Sequence, residues 1–243
     1  MRLRVNLALA LGLLAAATRP LAAQSIHDYA AWLAMMSTPY GTLPPLVTRT
    51  MAGPAAGVTG RSSFDLRYGH FSFGTGSDAL HIGGVGARFG ALGVVVGYEG
   101  CSGCDGALLL GADYEAVLVR RTLTGDGTHS LFTLGLRPAV GFGHSLADGS
   151  ASAANAISAT LDVPIAVSVP VGRSARMVPF VSPGFGVGAL RAGDETESGT
   201  RASLAFGAAL VDLSPGLGLN VSWRKIFLED APMTIGIGLS FDR

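Results

Sequence analysis

Charge is scarce in this chain. Of 243 residues only 14% are charged, and Lys+Arg and Asp+Glu stand equal at 17 each. There is no basic surplus to hold nucleic acid and no acidic tail. A disordered chain needs high charge and low hydrophobicity, whereas here 49% of residues are hydrophobic. The 35 glycines follow no three-residue period, which excludes a collagen-like chain. Beyond residue 23 no uninterrupted apolar run reaches the roughly 20 residues of a membrane-spanning helix.

The N-terminus carries an address. Arg2 and Arg4 precede the apolar run Val5 to Ala17, and the small residues Ala22 and Ala23 stand before Gln24. A positive start, a short apolar core and a small-residue site define a cleaved secretory signal, expected over residues 1–23. No cysteine adjoins the cleavage point to take a lipid anchor.

Much of the remaining chain alternates. In Met233 to Phe241 every odd residue is large and apolar and every even one is small or polar. Ile157 to Val171 repeats the rule over fifteen residues. Successive side chains of a strand point to opposite faces, so each segment has one oily face and one small, polar face. Further strands run through residues 92–98, 108–118, 132–142, 181–189, 202–210 and 217–223. Residues 63–73 and 79–89 complete a set of ten. Their phase slips near Gly69-His70 and at Gly83-Gly84, which reads as a bulge or bend. Eight strands is the second count, because those two are weak.

Links between strands alternate in length. Short ones fall at Phe89 to Ala91, Gly125 to Gly127, Gly172 to Ser174 and Ser214 to Gly216. Longer ones run from Gly74 to Asp78, Gly100 to Gly106, Ser145 to Asn155, Ala192 to Thr200 and Leu228 to Pro232. Short turns at one end and long loops at the other characterise a membrane β-barrel. Asp65, Arg67, Glu99, Asp113, Glu115, Arg137, Asp162 and Arg224 all share the face opposite the oily one. Ten strands of bulky apolar residues cannot all pack inside so narrow a barrel. A lipid-facing Arg or Lys costs about 2–4 kcal/mol at mid-membrane. The expectation is therefore an all-β, antiparallel, up-and-down transmembrane barrel over residues 63–243, with oily residues outside and these eight charges lining the lumen. Tyr98, Phe142, Trp223 and Phe227 fall toward the loop side and Phe132 and Phe241 toward the turn side, as interfacial belts would. Lys225 faces lipid near a rim, where its amine can reach head groups.

With its signal, its alternating strands and its closing strand, the chain resembles the small outer-membrane β-barrel proteins of bacteria. The resemblance implies a place in the outer membrane, contact with its lipids, and passage through the barrel-assembly machinery. Phe241 matches the terminal aromatic that such machinery reads, although Asp242 and Arg243 follow it here. No activity is implied.

Residues 24–62 precede the barrel. Tyr29, Trp32, Leu33 and Met36 have helical spacing, and Pro39, Pro44 and Pro45 then break the chain. A short amphipathic helix and a Pro/Gly linker are expected. Three placements compete: plugging the lumen, lying on the inner leaflet, or hanging in the periplasm. An apolar stripe matches a charged lumen poorly, so a surface or periplasmic position is favoured.

Candidate chemistry is thin. Cys101 and Cys104 are separated by two residues in a loop; an exported chain favours a disulfide, and zinc would need a second ligand pair. His144, Ser145 and Asp148 supply the residue types of a hydrolase, but sequence neighbours on a strand face opposite ways. His27, His70, His81 and His129 are dispersed. The glycines at 184, 186 and 188 lack the Lys-Ser/Thr of a phosphate loop and read as lumen space. No metal or cofactor is expected. The function expected is a non-enzymatic envelope barrel, either structural or a narrow conduit for a small solute. A lipid-modifying or hydrolytic enzyme with a site at the loop-side rim is the alternative. Mutual ion pairing of the lumen charges is favoured over solute binding.

Overall fold

In the computed structural model the described residues are 32–43, 45, 51, 62–72, 79–101, 106–123, 129–146, 154–172, 174–228 and 233–242. The expected signal peptide (1–23), Asp148, Cys104 and most of the Pro/Gly linker lie outside them.

Twelve strand segments form one antiparallel sheet: β1 (Ser62–Ser72), β2 (Ala79–Phe89), β3 (Leu92–Cys101), β4 (Ala107–Tyr114), β5 (Ala116–Leu123), β6 (Ser130–Ser145), β7 (Ala154–Asp162), β8 (Ile165–Pro170), β9 (Arg176–Ala192), β10 (Glu195–Ser214), β11 (Leu217–Ile226) and β12 (Thr234–Asp242). β1 pairs with both β2 and β12, which closes the sheet on itself. The ring has ten positions, because β4–β5 and β7–β8 are each one strand with a break. At the first break Glu115 leaves the ladder and its N–H donates to the Ala91 carbonyl at 2.9 Å. At the second, Pro164 has no N–H to give, and its carbonyl instead accepts from Gly135 at 2.8 Å. Partners followed once round the ring return about 12 residues further along β1, which tilts the strands by about 40°.

The alternation sorts the side chains as lipid requires. Val85, Val96, Val140, Ile157 and Ile237 face outward, each more than half exposed. Asp65, Asp113, Arg137, Asp162 and Arg224 face inward and are buried. Phe64, Phe89, Tyr114 and Phe241 lie outside toward the turn end, and Tyr68, Tyr98, Phe142 and Phe185 outside toward the loop end. Trp223 stacks on Phe206 across β10 and β11, with ring centroids 5.5 Å apart.

Three expectations need correction. The bulges expected in β1 and β2 are absent: the two strands pair without a shift from Ser62↔Phe89 to Ser72↔Ala79. The phase of β2 looked broken because Leu80 and Ile82 are apolar yet face inward, and that of β1 because His70 is polar yet lies on the outer face. The long loop expected from Ala192 to Thr200 is a tight turn at Gly193 and Asp194, with Glu195 already paired to Ala192. Gly193 sits at φ +61°, in the left-handed region that glycine enters without steric cost. The third correction concerns the segment before the barrel. Its described residues (32–43, 45 and 51) lie inside, not on the membrane surface or in the periplasm. Trp32, Met35, Met36, Tyr40 and Leu43 are buried in one cluster with the inward-facing Ile82, Val95, Leu109, Ala139 and Ile226. The mismatch between an apolar stripe and a charged lumen does not arise, because the loop-side half of the lumen is itself apolar.

Candidate functional site in the lumen

The lumen is filled in three layers. The loop-side layer is the N-terminal segment, with residues 32–36 and Pro39–Thr42 helical. Glycines on the inner wall make its seat. A Cβ on Gly141 would lie 2.8 Å from the Thr38 Cβ, one on Gly186 2.6 Å from the Met35 Cε, and one on Gly84 2.6 Å from a Leu43 methyl. A side chain on Gly143 would run into the Ser37 carbonyl. The small residues of the inner face are thus the mould of a helix, not open space.

Polar contacts fix the segment's register. The Thr38 hydroxyl donates to the Met35 carbonyl at 2.8 Å and lies 2.7 Å from the Ser158 hydroxyl on β7. Asn220 Nδ2 donates to the Pro45 carbonyl at 2.8 Å, and Thr133 Oγ1 to the Met51 carbonyl at 3.0 Å. Met51 forms the turn-side layer with Ala166, Val178, Phe180, Ala209 and Val211.

Between these two layers lie the charges. Arg67 pairs with Asp65, Arg88 with Asp113, Arg137 with Glu115, and Arg224 with Asp162. Arg137 Nε donates to Glu115 Oε2 at 3.1 Å and Arg224 Nη2 to Asp162 Oδ2 at 2.8 Å. The layer is tied to the segment above it. Tyr40 donates its hydroxyl to Asp113 Oδ2 at 3.0 Å, and Arg224 donates to the Tyr40 carbonyl. A polar cavity of about 30 Å³ is bordered by Arg67, Arg88, Asp113 and Arg224 and extends to Ser63 and Asp242 at the turn end, with room for about two water molecules.

Seven of the eight charges singled out from sequence therefore meet in this layer. Glu99 does not: it faces inward nearer the loop end, where its Oε2 has no hydrogen-bond partner among the described residues. Arg88 was missed, because the apparent phase slip in β2 hid its inward direction. A strict even-residue count from Leu80 to Arg88 would have found it. Tyr40 was missed as well, since nothing in the linker marks it as a partner of Asp113.

Other candidates do not converge. His144 Nδ1 lies 2.9 Å from Asn155 Oδ1, while the Ser145 hydroxyl accepts from the Ala154 N–H at 2.9 Å. The two side chains leave β6 on opposite faces, each with its own partner. His70 and His81 sit outside, their rings 5.0 Å apart, with the Tyr68 hydroxyl 2.6 Å from His81 Nδ1. No group of three metal-ligating side chains occurs among the described residues. Cys101 ends β3 and Phe241 faces outward opposite Phe64.

A closed antiparallel ring with an oily exterior and ionised groups in its interior has the architecture of a membrane β-barrel. No family model matches the chain, and no curated protein does. Solved structures similar in fold include Ail, the attachment invasion locus protein of Yersinia pestis, at 13% identity and TM-score 0.35, covering 76% of this chain and 99% of that one. The β domain of the Bordetella autotransporter BrkA aligns at 12% identity and TM-score 0.43 over 75% and 99%. The outer-membrane enzyme PagL aligns at 13% and 0.35 over 73% and 98%. At these values the likeness is one of architecture and carries no activity across.

Proposed function

We propose that this protein is a sealed structural barrel of the outer membrane, stoppered by its own N-terminal segment. One observation supports this reading above the others: all three layers of the lumen are occupied, and the middle one consists of paired charges. A conduit needs a continuous wet path, whereas buried ion pairs and the apolar side chains of residues 32–43 stand across the centre of this lumen. A rim hydrolase needs a nucleophile and its base within reach of each other, whereas His144 and Ser145 bond to different partners on different faces.

Planar-bilayer recording tests the proposal. Full-length protein, shown to be inserted by a band that shifts on boiling, is expected to give no steady conductance. A variant lacking residues 24–45 should conduct, because the seat of glycines is then empty. Should that variant fail to insert, Gly143→Val serves instead, since its side chain competes with Ser37 for the same space. Steady, ion-selective current through the full-length chain would overturn the sealed reading in favour of a conduit.

A further inference from the structure

The segment inside the lumen has a direction. Ser37 lies against Gly143, near the loop-side end of β6, and Thr38 against Ser158, in the loop-side half of β7. Further along the chain, Pro45 is held by Asn220 in the turn-side half of β11. Met51 is held by Thr133, near the turn-side end of β6. The described residues thus step down the lumen from the loop end, and Ser62 begins the barrel at the turn end.

Whatever precedes Trp32 starts from the loop-side half. It has no way back. A chain leaving at the turn end would have to pass the layer of Arg–carboxylate pairs and the Tyr40 contacts. An extended strand needs about 4.8 Å in one direction and up to about 10 Å in the other, in a layer already crossed by four buried or half-buried ion pairs. The long loops of such barrels face the exterior of the cell and the short turns the periplasm.

We infer that the barrel carries its own N-terminal portion through its lumen and presents it at the cell surface, on the face opposite to the C-terminus. The inference rests on the stoppered lumen proposed above. The seat of glycines, the polar hooks at Asn220 and Thr133, and the layer of paired charges then act together as a one-way mount for an exposed peptide.

Surface labelling of intact cells tests this directly. A short epitope is inserted between Gln24 and Ser25 in the full chain, and a second version of the chain carries it after Arg243. Heat-shifting bands establish that both are folded. The N-terminal epitope is expected to bind antibody on intact cells, and the C-terminal one only after the outer membrane is permeabilised. If the insertion blocks folding, Ser25→Cys with a membrane-impermeant maleimide gives the same readout, measured against the unmodified chain. An N-terminal site that reacts only after permeabilisation, or in neither condition, overturns the inference. The result is independent of conductance, so a sealed barrel with a hidden N-terminus is distinguishable from a leaky barrel with an exposed one.

Discussion

At the scale of single residues, the lumen charges stabilise the barrel only as pairs. Glu115 is 2% exposed and Arg137 8%, so neither can fall back on bulk water. Removing one member of a buried pair costs about 3–5 kcal/mol, while replacing both by apolar groups of similar size is often neutral. Glu115→Ala is therefore expected to lower stability by about that amount in urea titrations of vesicle-inserted protein. Glu115→Leu combined with Arg137→Met should recover most of the loss. If both variants are equally weak, the pair is not the cause. Tyr40→Phe removes one buried hydrogen bond to Asp113 and is expected to cost about 1–3 kcal/mol, since the carboxylate is left with one donor fewer. The inward direction of these charges was legible because period two runs unbroken through Arg137, Asp162 and Arg224. The choice of partner was not. Arg224 reaches Asp162 over the intervening β9 and β10, a distance set by curvature that no linear pattern records.

At the scale of elements, the sequence shows strands well and their contacts poorly. Ile157 to Val169 alternates without a fault and folds as read, apart from the break that Pro164 imposes. β2 misleads because Leu80 and Ile82 break the rule that the inner face is polar. They break it for a reason, since both belong to the seat of the N-terminal segment. Apolar residues on the wrong face of several strands, at Ile82, Val95, Leu109 and Ile226, are the signal that something apolar fills that half of the lumen. They become readable only when strands are aligned by height, which requires the register. The same seat yields a prediction. Gly143→Val forces the Ser37 backbone to move, and overpacking of this kind typically costs about 1–3 kcal/mol. Protease added outside intact cells should then cleave residues 32–43 faster than in the parent chain. Unchanged cleavage would mean the glycine is not part of the seat.

At the scale of the whole molecule, the barrel is stable only in a solvent that wants its outside oily. Val85 and Ile237 lie mid-strand on the outer face, 55% and 52% exposed, with their backbones paired on both sides. Arginine at either position keeps the ladder intact and changes only what meets the acyl chains. Val85→Arg and Ile237→Arg are each expected to cost about 2–4 kcal/mol of folding free energy in vesicles. The same substitution near an interface should cost about 0–1 kcal/mol, because a long side chain there reaches the head groups. Lys225, outward near the loop end of β11, already occupies such a place. Refolding into vesicles of thinner and thicker lipids separates this from a packing effect. A penalty set by depth changes as the hydrocarbon thickness moves the residue relative to the interface, whereas one set by local packing stays constant. A constant penalty, or none, would remove the outer face from the membrane and with it the reason why charged residues must pair around the axis.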